Sequence, residues 1–119
     1  MKVIDIGNVP SADTVGGIFV GGTVNTKTLI DKNLGAQEMK ASIVTFAAGA
    51  RTKMHIHDHE QILYILSGRG IVANEKEEHA AVPGMIFLIS AGEKHWHGAT
   101  EKSSFSHLYI MNLVTETKY

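Results

Sequence analysis

The chain has no cysteine among its 119 residues, which excludes disulfide bonds and thiolate chemistry. No run of residues approaches the roughly 18 or more apolar side chains that a membrane-spanning helix needs. Residues 1–10 lack the apolar core that a signal peptide carries. These absences predict a cytoplasmic protein that has no membrane partner.

An excess of charge of either sign is also missing. Eleven Lys and Arg residues nearly balance twelve Asp and Glu residues, and the formal net charge is -1 with histidine neutral. Such a chain has no electrostatic basis for binding nucleic acid or an acidic membrane surface. A chain of this length buries about two-thirds of its unfolded surface, which is enough for one core. We therefore predict a single domain over residues 1–119.

Short apolar segments, separated by glycine and by charged turns, dominate the rest of the sequence. We predict strands at 18–20, 28–30, 41–46, 62–66, 70–73, 79–82, 85–89, 95–99 and 105–114. Residues 31–40 are interpreted as a loop, and the apolar segment 3–6 as a strand that could join the sheet of a partner. Short β-branched and aromatic runs at this spacing predict an all-β sandwich or barrel.

Histidine, by contrast, is plentiful and regularly spaced. His55 and His57 lie two residues apart, Gln61 follows four residues later, and a second pair is formed by His95 and His97. In a strand, residues i and i+2 share a face and lie roughly 6.5–7 Å apart. Two imidazoles at that distance can converge on one metal ion at about 2.0–2.1 Å each. The spacing predicts a metal site built from two segments of the chain.

The fourth ligand has two candidates, Glu60 and Gln61. Because side chains alternate along a strand, these two point to opposite faces. The spacing from His57 favours Gln61. Three neutral imidazoles and a neutral carboxamide would leave a divalent ion its full charge, which weakens metal retention but polarises a bound substrate more strongly.

These two segments resemble the two motifs of the cupin superfamily. The residues in register with the motifs are Gly49, His55, His57, Gly68, Gly92 and His95. Gln61 stands where the first motif has Glu, and Ser90 stands where the second usually has proline. The resemblance implies a jelly-roll barrel (double-stranded β-helix), with core motifs at 49–68 and 83–97. Its implied metal ligands are His55, His57, Gln61 and His95.

Two further histidines are candidates for catalysis. His97 shares a strand face with His95, and His107 shares one with Tyr109 and Met111 on the last long strand. An imidazole near a cation and away from water has a lowered pKa, so it is neutral and can act as a general base. The alternative is that each histidine only orients a ligand through a hydrogen bond. We expect His59 and His79 at the surface.

Within the superfamily, the motifs are similar to those of small cupins related to manganese-dependent bacterial hydroxynitrile lyases. Cupins of the carboxymuconolactone decarboxylase-associated type are also similar. The resemblance implies an enzyme that uses a divalent transition metal, with manganese first and iron, nickel, cobalt or zinc as alternatives. His97 and His107 would be its catalytic residues.

The sharpest hypothesis is a lyase that cleaves a cyanohydrin-like small molecule. The alternatives are a metal-dependent dioxygenase and a non-enzymatic module that binds or senses a small molecule. Because two-fold dimers are the commonest oligomers of soluble proteins, we also expect a homodimer. Trp96 points away from its histidine neighbours and could lie in the subunit contact. For Met54, Met85 and Met111, core filling is favoured over lining a ligand cavity.

Overall fold

A computed structural model describes all of residues 1–119. It contains thirteen β-strands and two short 3₁₀ helices, Ile6–Asn8 and Lys32–Leu34. The strands, numbered β1 to β13 in chain order, are Ala12–Thr14, Phe19–Val20, Val24–Ile30, Met39–Phe46, Arg51–Thr52, Ile56–His57, Gln61–Gly68, Gly70–Asn74, Glu78–Ala81, Ile86–Ile89, His95–Ala99, Phe105–Asn112 and Thr117–Lys118. No helix has the length and apolar character that crossing a membrane requires.

The strands form two large antiparallel sheets and one small one. The first sheet has the order β1-β3-β4-β12-β7-β10, the second has the order β2-β5-β11-β8-β9, and β13 pairs with β6. Apolar side chains from both large sheets meet in one buried core. Those packed most deeply include Val24, Phe46, Leu63, Ala81 and Phe105. The arrangement confirms the all-β, jelly-roll prediction.

Strand β7 shows how side-chain alternation directs polar groups into the barrel. Gln61, Leu63 and Ile65 are buried, while Tyr64 and Leu66 are exposed. Leu66 has no partner on β12, because the register shifts between Ser106 and His107. An extra residue of this kind bends a strand and increases its local twist. The bulge lies beside His107, which is completely buried.

The exit from β7 requires glycine. Gly68 has a φ of 76°, a left-handed conformation that side chains with a Cβ disfavour. A Cβ atom at this position would lie 1.8 Å from the carbonyl oxygen of Ser104. Gly68 therefore allows β7 to turn into β8 while its backbone touches the segment that leads into β12.

The prediction of a strand at 3–6 is wrong. Residues 1–5 form no regular structure, and the Asp5 carboxylate accepts a hydrogen bond from the Gly7 N–H at 3.0 Å, which caps the helix at Ile6–Asn8. The carbonyl oxygens of Asp5 and Ile6 accept hydrogen bonds within this turn, from the Asn8 and Val9 N–H groups at 3.0 and 3.1 Å, so they do not pair with another strand. The loop predicted at 31–40 holds a 3₁₀ helix that ends at Leu34, just before Gly35, and β4 begins at Met39, before the end of the predicted loop.

Candidate metal centre

His55, His57 and His95 are brought together where the two motif segments meet. The backbones of His55 and His95 exchange two hydrogen bonds, N to O at 2.9 and 3.0 Å. The ring centroids of His55 and His95 lie 4.2 Å apart. The centroid of His57 lies 4.9 Å from that of His55 and 5.1 Å from that of His95. Gln61, the first residue of β7, is buried and lines the same cavity as His55 and His57.

Backbone carbonyls fix the orientation of two of these imidazoles. The Nδ1 of His55 lies 2.7 Å from the Lys53 carbonyl oxygen, and the Nδ1 of His95 lies 2.9 Å from that of Glu93. A carbonyl oxygen only accepts, so each Nδ1 donates its proton. In the neutral ring, Nε2 then carries a free electron pair. Both side chains hold the tautomer that a metal ligand needs.

Four inward-facing polar atoms have no hydrogen-bond partner although they are buried. They are the Nε2 atoms of His55, His57 and His95 and the Oε1 atom of Gln61. Leaving one buried polar atom unpaired costs about 1–3 kcal/mol, and four together are exceptional. A divalent cation accepts electron pairs from imidazole nitrogen and amide oxygen. The donor set therefore fits a metal ion.

Burial keeps the imidazoles neutral, as metal binding requires. Burial lowers the pKa of His55 to about 4. It lowers the pKa of His57 to about 4 as well, with repulsion from His95 adding to the shift. The pKa of His95 is lowered for the same principal reason. At neutral pH these three rings are uncharged, so no proton competes strongly with a metal ion for their electron pairs.

His97 also lies within reach of a metal ion. Nitrogen atoms of His55, His95 and His97 all lie within 4.8 Å of one another, and the three rings are buried. This group could hold a metal ion, but it includes His97 in place of the predicted ligand His57. The ring centroid of His97 is 5.6 Å from that of His55 and 5.9 Å from that of His95, so by centroid distance His57 is the closer ring. The imidazoles of His55, His57, His95 and His97 thus form one buried cluster.

His97 and His107 face each other inside the barrel, with ring centroids 4.9 Å apart. The backbone N–H of His97 donates to the Thr52 hydroxyl at 3.1 Å. Both ring nitrogens of His107 and the Nδ1 of His97 are buried without a partner. Burial lowers the pKa of His97 well below its usual value, helped by repulsion from His107, and it lowers the pKa of His107 to about 4. Both rings are neutral and free to take a proton.

Four of these histidines line the inner part of a cavity of about 160 Å³, namely His55, His57, His97 and His107. More exposed side chains, among them Lys40 and Thr117, complete its wall. Both were missed from the sequence. The inward side of Lys40 could have been found, because Lys40, Ser42 and Val44 alternate along the predicted strand face once that strand is extended by one residue. Thr117 had no signal, since its contact with His57 is made by a separate two-residue strand.

Hydrogen bonds brace the loops that carry the ligand candidates. The Glu93 carboxylate accepts from the Asn74 side chain at 2.7 Å and from the Ser90 N–H at 3.0 Å, and these bonds lower the pKa of Glu93. The Asp58 carboxylate accepts from the Glu116 N–H at 2.8 Å, which lowers the pKa of Asp58. The first set fixes the turn before His95, and the second ties the C-terminal strand to the turn after His57.

The other residues considered from the sequence lie outside this cluster. Glu60 is exposed on the outer surface, opposite to Gln61. His59 is partly exposed and lies 2.8 Å from the Asp58 carboxylate. His79 is exposed and lies 3.3 Å from the Glu77 carboxylate. Trp96 points away from the cavity, and the Arg51 guanidinium lies 5.0 Å from its ring centroid.

The three methionines have three different environments. Met111 is buried and lines the cavity. Met85 packs against the core, as expected for a core-filling side chain. Met54 is 37% exposed and fills no part of the core. The expectation of core filling is therefore confirmed for Met85 alone.

Comparison with known proteins agrees with this geometry. Residues 42–111 match the family model described as "Cupin domain", and this region contains every predicted ligand and catalytic residue. The (R)-mandelonitrile lyase of Granulicella tundricola is 42% identical over 71 residues, which cover 56% of this chain and 52% of the lyase. The chain thus spans about half the length of that relative.

Solved structures share the whole fold at low sequence identity. A cupin-like protein from Thermotoga maritima has a TM-score of 0.82 at 24% identity, covering 100% of this chain and 88% of that one. The polyketide cyclase RemF from Streptomyces resistomycificus has a TM-score of 0.88 at 18% identity, covering 99% of this chain and 84% of that one. At these identities the likeness concerns the fold alone.

Proposed function

The chain belongs to the cupin superfamily, and on that premise we propose that it is a metal-dependent lyase that cleaves a cyanohydrin into a carbonyl compound and hydrogen cyanide. The observation that carries this proposal is the set of four buried, unpaired donor atoms beside two neutral buried histidines. The relative named (R)-mandelonitrile lyase supports the choice of reaction. Because fold does not determine chemistry, the residues of the site must carry the argument.

We propose that His55, His57, Gln61 and His95 hold the metal ion. The Nδ1 of each imidazole is already engaged by an oxygen, and the opposite Nε2 points inward without a partner. His97 lacks that arrangement, because its Nδ1 is the unpaired atom. Mixed nitrogen and oxygen donors suit manganese, and also iron, cobalt, nickel or zinc. We propose manganese on the resemblance to the manganese-dependent lyases.

When bound, the divalent ion polarises a substrate oxygen and stabilises negative charge that develops on it. The neutral ligand set matters here, because no carboxylate among the four offsets the charge of the ion. Excluding water from the inner cavity strengthens this electrostatic effect. The residues of the chain supply what remains, namely binding, orientation and proton transfer.

His97 and His107 hold and move the proton in the proposed reaction. A neutral imidazole takes the proton of the substrate hydroxyl, and the electron pair of that O–H bond forms the carbonyl double bond. The bond to the nitrile carbon breaks, and cyanide leaves with its electron pair. The imidazolium then returns the proton to cyanide, so that hydrogen cyanide is released and the ring is neutral again. Two facing rings with unpaired nitrogens suit both transfers.

The test is cleavage of mandelonitrile by purified protein whose metal content has been measured. Manganese-loaded protein should release benzaldehyde, and protein treated with a chelator should not. Replacing His107 by Gln should lower kcat at least about 100-fold, since proton transfer by a positioned group contributes about 10²–10⁴. His79→Gln, at the exposed surface, is the matched control and should leave kcat unchanged.

Absence of cleavage by fully loaded protein would overturn the lyase proposal. Oxygen uptake by iron-loaded protein with a diketone or phenol would instead favour a dioxygenase. Tight binding of a small molecule without turnover in either assay would favour a binding module.

We also propose that the chain pairs with a second copy through the outer face of the six-stranded sheet. Ile86 and Leu88 are 66% and 64% exposed there, beside Tyr64 and Ile62 on the next strand. The outward positions of β7, β10 and β12 carry no charged side chain. A two-fold contact presents the same surface to itself, so an uncharged apolar face is complementary to its own copy.

A further inference from the structure

Lys40 is a cation that faces the cavity. It lies on β4, whose inward positions continue with Ser42 and Val44, and its backbone pairs with Met111 of β12. It lines the same cavity as His57 and Gln61. Lys40 is partly buried, in contrast to the exposed lysines of the hairpin tips. It also lies two residues before the region that matches the cupin family model, so the family motifs do not account for it.

No acidic group neutralises this cation. None of the twelve residues that line the cavity is Asp or Glu. Lys40 forms no salt bridge, since the only side-chain contacts of that kind are His59 with Asp58 and His79 with Glu77. The cavity is therefore positive before any metal ion binds, and the proposed ligands add no negative charge.

A positive cavity with apolar walls favours a ligand that brings the missing negative charge. Clefts lined by charge of one sign concentrate counter-ions. A hydrogen bond from an ammonium group to a carboxylate is roughly twice as strong as one between neutral groups. The cavity of about 160 Å³ has room for about five waters at roughly 30 Å³ each, which fits a small molecule.

We propose that the cavity selects small carboxylates, and that the Lys40 ammonium binds the carboxylate group of the ligand. This inference rests on the proposed function, because it names the substrate class of the same cavity. The natural substrate is then a small cyanohydrin that also carries a carboxylate, and the neutral cyanohydrin mandelonitrile lacks the group that Lys40 would bind. Lys40 acts as a specificity-determining residue at the side of the cavity, away from the proton-transfer pair.

The test compares two probes of the same shape, mandelate and mandelamide, which differ in charge. Their Kd values are measured by calorimetry for manganese-loaded and for chelator-treated protein. Wild-type protein should bind mandelate at least about tenfold more tightly than mandelamide, which corresponds to about 1.4 kcal/mol. Lys40→Gln should lower that ratio about tenfold in both preparations, because the ammonium group is not a metal ligand. Lys40→Arg, which keeps the charge, should preserve it.

Lys76→Gln is the matched control, because it removes the same charge from an exposed hairpin tip. Its ratio should equal that of the wild type. Equal ratios for wild-type protein and Lys40→Gln would overturn the inference, as would undetectable binding of mandelate to the wild type. A Lys40-dependent ratio together with no cleavage of mandelonitrile would refute the lyase proposal and leave the inference standing. Cleavage of mandelonitrile together with a mandelate-to-mandelamide affinity ratio that is the same in Lys40→Gln and wild type would support the lyase proposal and refute the inference about Lys40.

Discussion

The Nδ1 of His57 lies 2.8 Å from the hydroxyl oxygen of Thr117, although 60 residues separate them in the chain. Thr117 begins the last strand, which pairs with β6 next to His57. The hydroxyl can accept the Nδ1 proton, and the Nε2 electron pair then points into the cavity. The C-terminal strand thus orients the ring of one proposed metal ligand and is compatible with the required tautomer, which the Lys53 and Glu93 carbonyls impose on His55 and His95 because they only accept.

Replacing Thr117 by Val should therefore weaken metal binding. The substitution keeps the shape of the side chain but removes the hydrogen-bond partner of His57. Loss of a group that orients a ligand typically costs about 10–100-fold in metal affinity. Competition with a chromogenic chelator would measure the change. Thr117→Ser keeps the hydroxyl and should bind the metal like wild-type protein, and equal affinity for Thr117→Val and wild type would contradict the prediction.

Gln61 and Glu60 offer a second pair of substitutions. Gln61→Ala should lower metal content after dialysis by about tenfold or more, because it removes one of four donor atoms. Glu60→Ala should leave it unchanged, since the Glu60 side chain is exposed on the opposite face. Elemental analysis of both variants measures the outcome. Full metal content in Gln61→Ala would show that Gln61 is not a metal ligand. A loss of metal from Glu60→Ala would instead identify the Glu60 carboxylate as the fourth ligand.

Much of this site could be predicted from the sequence because it depends on local periodicity. The spacing of His55, His57 and Gln61, together with strand alternation, indicates which side chains share a face. The buried positions of Gln61 and His107 agree with that expectation. The two histidine pairs indicate that two distant segments meet at one site, and the fold confirms the jelly roll that the motif resemblance implies.

The rest depends on contacts that leave no local pattern. The hydrogen bond of Thr117 with His57 joins two strands of two residues each, too short for any periodicity to indicate. The apolar run at 3–6 predicts a strand, but the chain forms a 3₁₀ helix at Ile6–Asn8 that the Asp5 side chain caps. The residues that form the metal-binding group, and whether His57 or His97 belongs to it, depend on ring orientations that the sequence does not specify.

The buried histidines should make the metal-free protein sensitive to acid. The folded-state pKa values of His55, His57 and His107 are about 4, below the ordinary value of 6.5. Between these values the unfolded chain binds more protons than the folded chain does. The contribution of these histidines to the free energy of unfolding should therefore fall as the pH drops from about 6.5 to about 4 and level off below that. At about 1.4 kcal/mol per unit of pKa, His107 alone accounts for a decrease in the free energy of unfolding on the order of 3 kcal/mol.

Urea denaturation of chelator-treated protein between about pH 7 and pH 4.5 measures this dependence. His107→Gln should reduce the change in the free energy of unfolding with pH, because the variant lacks one histidine whose pKa is lowered by folding. His79→Gln should leave this pH dependence unchanged, because that ring is exposed. A free energy of unfolding that stays constant over this range would show that the rings are not held neutral.

The homodimer remains a prediction, with a surface now assigned to it. Leu88→Lys places a charge on the apolar outer face, so it should convert the dimer to a monomer without changing the fold, since Leu88 is 64% exposed. Light scattering after size-exclusion chromatography measures the mass. Val15→Lys alters an equally apolar side chain that is 92% exposed but lies off this face, and it should leave the dimer intact. A monomeric wild-type protein would refute both the state and the surface.

Gly68 and Gly84 distinguish two ways in which replacing a glycine destabilises the fold, namely an unfavourable positive φ and a steric clash of the new Cβ atom. Both have positive φ, 76° and 90°, and an alanine at either position suffers the left-handed penalty of about 1–2 kcal/mol. A Cβ at Gly84 meets no atom within 4 Å, whereas one at Gly68 would lie 1.8 Å from the Ser104 carbonyl oxygen. Gly84→Ala should therefore cost about 1 kcal/mol in urea denaturation. Gly68→Ala should cost at least about 3 kcal/mol or prevent folding, because the two backbones must separate. Similar costs for the two variants would mean that the turn between β7 and β8 can move away from Ser104 at little cost in free energy.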